Sequence, residues 1–431
     1  MTIYTTWKNL LVALAVANGC SAFLHSSTIH SRATAIQRHD LPTTTFLHSS
    51  PSSSSTNEPP KQRSQPRSGL AQELLNLALK SPLWTYVMVP QARASIVKTA
   101  ESNGIQWMNA KAWLNEQLTI KDYNQVVYPK YYQQSFHAYQ DGNLSYDAAV
   151  EQELASRAVG ARNFPKFGEK GEDVFRDSFD KALSSIGARI CDPPTEVGKQ
   201  VIVDFGCGTG TSTRRLAKQY PDVDQLIGID LSPYFVDVGT TLLELAPNAI
   251  DENGSSGWIT SIDPDERIEL RQGDMANTSI PSNSVSVVNL SLVVHELPTS
   301  VAKQVVSEAY RILQPGGQLW ISEMDFESTA YKAQRENALL FSLLRATEPY
   351  LDEYADGMQE LRDFIVDMFD STKITAATGR HYALVAEKGR GNNDDDKDVD
   401  RVKRLEDYRF REDGSYSVED THLKPWESKD E

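Results

Sequence analysis

Between residues 200 and 390 the apolar positions fall into a repeating rhythm. VIVDF at 201–205 is a short β-branched run of the kind a strand buried on both faces needs. It passes through GCGTG into the helically spaced TSTRRLAKQY. LIGID at 226–230 predicts a second strand, followed by a helix from Pro233 towards Leu245. IELRQGD at 268–274 predicts a third and SVSVVNLSLVV at 284–294 a fourth. SVAKQVVSEAYRIL then has helical spacing, the turn QPGG follows, and QLWISEMD at 318–325 predicts a fifth strand. Helices through ENALLFSLLRA and MQELRDFIVDMF precede KITAATGRHYALVAEK, which ends as an antiparallel strand pair. Such alternation predicts an α/β fold, a doubly wound sheet with helices on both faces. Ligands of such sheets lie across the carboxyl ends of the strands.

Upstream the period is helical. LAQELLNLALKSPLW, IQWMNAKAWLNEQL, LSYDAAVEQELASRAVGAR and FRDSFDKALSSIGARI predict an N-terminal helical addition over 70–195, broken by the tyrosine-rich loop YPKYYQQSFHAYQDGN. Ser145 is a suggestive helix cap. Residues 1–22 combine a short start, the apolar run NLLVALAVA and small residues, the plan of a signal peptide too short to span a bilayer comfortably. Residues 23–69 are rich in Ser, Thr and Pro with an excess of basic residues, and such a composition buries no core. The pair is similar to the bipartite presequences of algae with secondary plastids, in which a Phe directly follows the signal cleavage point, as Phe23 follows Ala22. Plastid targeting is the expectation, with secretion or the endomembrane system as the alternative. Residues 391–431 read as an acidic, largely disordered tail, with YRFREDGSY the one stretch able to add a strand or clamp.

The 431-residue chain has 40% hydrophobic residues and a formal net charge of −16. An acidic surface repels a phosphate backbone, so no nucleic-acid partner is expected. Three cysteines without a CxxC pair argue against a disulfide framework or a cysteine-based zinc site, and no metal is expected. No stable membrane insertion is expected after processing. Oligomeric state is not legible.

The chemistry begins at Asp204-Phe205-Gly206-Cys207-Gly208-Thr209-Gly210. Glycines there remove side chains where main chain approaches a ligand and allow a tight turn into a helix. A dinucleotide fingerprint would require Gly at 211, where this chain has Thr211, and Asp204 would face a pyrophosphate. DFGCGTGTST, LIGIDLSP, RQGDM and RILQPGGQLWISE occur in this order over residues 200–390. Together they resemble the class I S-adenosylmethionine-dependent methyltransferases. The resemblance implies a Rossmann-like, seven-stranded methyltransferase sheet over 196–390 and S-adenosyl-L-methionine as cofactor. It also implies that the turn Gly206, Cys207, Gly208 and Gly210 faces the methionine carboxylate and that Asp204 helps hold the amino end. Asp230, with Leu231 beside it, would accept the ribose hydroxyls; Asp274, with Met275, would take the adenine, and Asn289 completes the set. The stretch 249–267, with Trp258, reads as a polar insertion in this pattern.

Methyl transfer needs alignment in a dry pocket, and a base only when the acceptor arrives protonated. The fourth strand, Asn289-Leu290-Ser291, lacks the Asn-Pro-Pro-aromatic signature of nucleobase and glutamine methylation. SLVVHELP places His295 and Glu296 at the strand exit. His295 is the candidate base with Glu296 orienting its ring, and the alternative is a junction that caps and packs the next helix. His137 is a rival base. Glu296, Glu323 and Asp325 cluster at neighbouring strand ends. The expected partner is a small-molecule acceptor, aromatic, quinone-like or isoprenoid. A protein methyltransferase and a catalytically silent cofactor-binding scaffold are the alternatives.

Overall fold

The computed structural model describes residues 89–419 apart from 124, 138, 192–197, 246–264, 337–340, 342, 343, 346 and 391–403. The targeting segments, most of the 249–267 stretch with Trp258, and the helix expected over 70–84 lie outside the described residues.

Among the described residues eight strands form one sheet in the order β3-β2-β1-β4-β5-β7-β6-β8. They are β1 Val201–Phe205, β2 Gln225–Asp230, β3 Ile268–Gln272, β4 Val285–Ser291, β5 Leu313–Met324, β6 Ser371–Ala376, β7 His381–Glu387 and β8 Leu405–Asp407. The first five pair in parallel, and β7 runs antiparallel between β5 and β6. Numbered in chain order, the helices are α1 Val89–Ser102, α2 Trp107–Gln117, α3 Tyr146–Asn163, α4 Gly171–Ser185, α5 Thr211–Gln219, α6 Pro233–Glu244, α7 Thr299–Ile312, α8 Thr329–Glu336 and α9 Leu351–Met368.

Alternation along the strands decides which helices cover which face. Val201, Val203 and Phe205 of β1 join Val288 and Leu290 of β4 against α7 and α9. Ile202, Leu226, Val287 and Trp320 face the other way, against Phe175, Phe179 and Leu183 of α4 and Leu216 of α5. Val285 and Val287 serve opposite faces because the β4–β5 register shifts between them. A third cluster packs α1, α2 and α3 on Phe235, Val238 and Leu242 of α6. The α3 start is capped by Ser145, whose hydroxyl accepts the Ala148 N–H at 3.2 Å.

The C-terminal segment departs from the expectation of a largely structureless tail and seven strands. β8 pairs in parallel with β6, making the eighth strand. Beyond it Arg409, buried, donates to both carboxylate oxygens of Asp325 at 3.1 and 3.0 Å and to Glu327 and Asp407. The Tyr416 hydroxyl reaches Asp325 at 2.9 Å. Charge pairing and a buried phenol hold residues 404–419 where apolar periodicity is absent.

Candidate active site

The strand exits of β1, β2, β3 and β4 meet at one end of the sheet. Leaving β1, the chain turns through Gly206, Gly208 and Gly210 at φ +67°, +56° and +84°. Side chains are excluded for a second reason: a Cβ on Gly206 would overlap Val293, and one on Gly208 would overlap the Gln152 carboxamide. The Gly206 and Cys207 N–H groups donate to the Ile229 carbonyl at 2.8 and 3.1 Å, locking the turn against β2. The Gly208 N–H donates to Asp230 at 2.9 Å and that of Thr209 to the Gln152 carboxamide oxygen at 2.7 Å. The buried Thr209 hydroxyl has no partner among the described residues. Burial pushes the Cys207 thiol well above its ordinary range, with the Asp230 and Asp204 charges adding, so it stays protonated.

Asp204 and Asn289 come together, but on the sheet face under α4 and α5. Asp204 accepts from the Ser212 and Thr213 hydroxyls at 2.6 and 2.7 Å and from the Asn289 amide at 2.7 Å. Burial still leaves the carboxyl raised, because three donors do not repay its desolvation. Both oxygens are thus engaged in fastening β1 to α5 and β4.

Asp230 ends β2. Its carboxylate accepts the Gly208 and Ser232 N–H groups, the latter at 2.8 Å, and the Tyr132 hydroxyl at 3.2 Å. Burial raises its pKa against these donors. The neighbouring Leu231 offers its carbonyl to Gln272. Asp274, just past β3, accepts the Ala276 N–H at 2.8 Å, and Met275 packs against the core beside it. Tyr131 and Tyr132 sit edge to face at 6.3 Å. Burial, then the Asp274 charge, carries the Tyr131 hydroxyl to about 12.

The acceptor-side residues gather round the β4 exit. His295 is buried, and its Nδ1 lies 2.8 Å from Glu323 Oε1. The Val294 and His295 N–H groups donate to the other oxygen of Glu323 at 2.9 and 3.2 Å. Burial pulls the imidazole pKa down, but the adjoining Glu323 carboxylate outweighs it, and the value rises to about 10. His295 therefore holds a proton at neutral pH. The sequence expectation of Glu296 as its orienting partner is corrected: consecutive residues of the short turn Val294–Glu296 diverge, and Glu323 at the end of β5 takes the ring.

Glu296 instead faces the N-terminal region. Asn143 Nδ2 lies 3.5 Å and His137 Nε2 3.9 Å from its carboxylate. Burial pushes this carboxyl up to about 7, against the His137 and His295 charges and with those of Glu348 and Asp230. His137 is raised as well: burial lowers it, but Glu348, 3.1 Å from Nε2, more than compensates. Asp325 belongs to the C-terminal contact and not to this cluster. Sequence reading missed Gln152, Tyr132 as a partner of Asp230, and Glu348. Gln152 carries no signal within its helix, whereas the tyrosine-rich loop did mark the stretch that holds Tyr132. Among the described residues no group of three or more His, Cys, Asp or Glu is placed to hold a metal ion. Among them, too, no helix is long and apolar enough to cross a membrane.

Residues 203–321 match the methyltransferase domain family. The chain carries a class I, S-adenosylmethionine-dependent methyltransferase domain. An uncharacterized methyltransferase of Emericella nidulans is 30% identical over 31% of this chain and 45% of its own length. A demethylmenaquinone methyltransferase of Lactobacillus johnsonii is 30% identical over 28% of this chain and 42% of its own. The chain thus spans less than half the length of these relatives. A solved O-methyltransferase family protein of Burkholderia thailandensis is 17% identical, with a TM-score of 0.38, over 69% of this chain and 72% of that one. The methyltransferase domain's cofactor, S-adenosyl-L-methionine, fits the residues present. Glycine main chain and the Thr209 hydroxyl, unpaired among the described residues, suit its amino-acid end, the Asp230 carboxylate its ribose diol and the Asp274 carboxylate its adenine amino group.

Proposed function

We propose that the chain transfers a methyl group from S-adenosylmethionine to a small organic acceptor. The observation that carries this reading is the glycine turn, Asp230 and Asp274 at the exits of three adjacent strands, within the segment that matches the methyltransferase family. Bound there, the cofactor would supply an electrophilic methyl carbon, whose bond to the sulfonium sulfur breaks so that the sulfur departs as a neutral thioether. Asp230 would hold the ribose, Asp274 the adenine, and the turn from Gly206 to Gly210 the amino-acid end. Asp204 and Asn289 support the turn from beneath.

Glu296 is the proton acceptor in this reading. Its carboxyl, at about 7, ionises near neutral pH and takes the acceptor's proton as the acceptor's lone pair forms the new bond to carbon. His295, protonated through Glu323, keeps a positive charge beside Glu296 and orders the β4 exit. Tyr131 and Tyr132 give aromatic faces suited to a ring-bearing acceptor. The quinone-directed name of one relative fits an aromatic or quinone-like molecule. The composition of residues 1–69 supports plastid import, which fusion of that segment to a fluorescent protein tests directly.

The deciding experiment incubates the protein with labelled S-adenosylmethionine and a metabolite extract and identifies the labelled product by mass. Label in a small molecule is expected. Label only in polypeptide favours the protein-methyltransferase alternative, and cofactor binding with no product in any fraction favours a silent scaffold.

A further inference from the structure

We propose that Glu348 and Glu296, on either side of His137, form a recognition subsite that takes a hydroxyl or ammonium donor of the acceptor and turns away carboxylate-bearing molecules. The proposal rests on the methyl-transfer reading and narrows its substrate class.

Both carboxylates approach one nitrogen: His137 Nε2 is 3.1 Å from Glu348 Oε1 and 3.9 Å from Glu296 Oε1. Glu348 comes from the segment before α9, Glu296 from the β4 exit and His137 from the tyrosine-rich loop, so three distant stretches converge. Glu348 is only 8% exposed, yet its second oxygen is buried without a hydrogen-bond partner among the described residues. A buried acceptor left unmade is costly, more so when charged, and native proteins rarely tolerate it without a use. A ligand donor would satisfy it.

His137 adds an independent sign. It sits at φ +49°, where a non-glycine residue is strained. The conformation is held by its N–H donating to the Thr347 carbonyl at 3.0 Å and by its ring standing edge-on to Phe136 at 4.2 Å. Thr347 immediately precedes Glu348, so the same contact seats the imidazole against that carboxylate. Strain of this kind persists where surrounding structure enforces it, and it concentrates at functional sites.

Charge selects the ligand class. Glu296, Glu323 and Glu348 stand against two imidazoles, so once Glu296 ionises the cluster carries one excess negative charge even with His137 and His295 both protonated. A carboxylate ligand would add a fourth anion beside two largely buried carboxylates. A hydroxyl or ammonium supplies the missing hydrogen bond and adds no repulsion. The subsite also adjoins the cofactor residues: Asn143 contacts Glu296 through its amide and accepts the Ser232 hydroxyl at 2.6 Å, two residues from Asp230.

The test loads the full chain with S-adenosylhomocysteine and titrates catechol, benzylamine and benzoate, followed by calorimetry or ligand-observed NMR. Catechol or benzylammonium should saturate, the stronger of the two naming the donor, with benzoate at least tenfold weaker. Glu348→Gln should weaken the donor probe at least fivefold and strengthen benzoate while S-adenosylhomocysteine affinity stays unchanged. Benzoate binding as tightly as the donors, neither donor binding, or an unaltered order in Glu348→Gln would overturn the proposal. Failure of S-adenosylhomocysteine itself to bind would instead overturn the methyl-transfer reading on which it rests.

Discussion

Replacing Glu323 by Gln should change how stability depends on pH, because Glu323 is what keeps His295 charged. The folded imidazole is carried from 6.5 to about 10. A raised folded pKa gives stability that is fully present below the unfolded value and is lost as pH rises through the folded one. Glu296, raised from 4.5 to about 7, adds its own loss of stability between those values, so the comparison belongs above about pH 7.5. From there to about pH 10, at 1.36 kcal/mol per unit, the His295 contribution amounts to ~3 kcal/mol. Glu323→Gln removes the charge that raises the imidazole, and burial then dominates, so the variant loses that slope. The Glu348 and Glu296 carboxylates, the His137 imidazole and the Tyr354 hydroxyl also face this ring or lie near it, and they remain in both proteins. Urea denaturation at about pH 7.5, 8.5 and 10 measures the effect. The destabilisation by Glu323→Gln should be largest at the lowest of these and shrink by ~3 kcal/mol at the highest. A destabilisation independent of pH, or one below about 1 kcal/mol throughout, would refute a charged His295–Glu323 pair.

The Tyr132 hydroxyl engages the carboxylate assigned to the ribose, so Tyr132→Phe should tighten S-adenosylhomocysteine roughly fivefold, the scale of one neutral hydrogen bond removed from competition; calorimetric titration reads it, and weaker binding would make Tyr132 a cofactor contact instead. Glu296→Gln should leave S-adenosylhomocysteine affinity unchanged, lower turnover, and abolish the rise in rate as pH passes through about 7, where a raised carboxyl becomes ionised and able to accept a proton; a pH–rate profile with the rise intact would move the base elsewhere. Arg409→Ala leaves Asp325 buried and short of its cation, and a loss of about 3–5 kcal/mol is expected in chemical denaturation, against near-neutrality if residues 404–419 are not docked.

The parallel half of the sheet was legible because buried strands such as VIVDF and LIGID and the intervening helices differ sharply in period. β8 was not, since Leu405–Asp407 is three residues long with two acids, and its stability comes from pairing with β6 and from Arg409, both distant in sequence. The placement of the glycine turn, Asp230 and Asp274 at the strand exits could be read from motif order. The acceptor side could not. His295 and Glu296 are neighbours in the chain, yet one turns to Glu323 and the other to Asn143 and His137, a divergence that only the packing of β5 and the tyrosine-rich loop decides. Asp204 showed a different limit, because its position before the glycines is the same whether it holds a ligand or, as here, receives Ser212, Thr213 and Asn289.

Calorimetric titration of S-adenosylhomocysteine into the full chain, wild type beside Asp230→Ala, tests the central claim most directly. The account predicts saturable binding by the wild type and a loss of roughly tenfold to hundredfold in the variant, the ~1.5–3 kcal/mol of a charged hydrogen-bond acceptor. No heat of binding from a folded wild-type chain, or equal affinity in the two proteins, would contradict it.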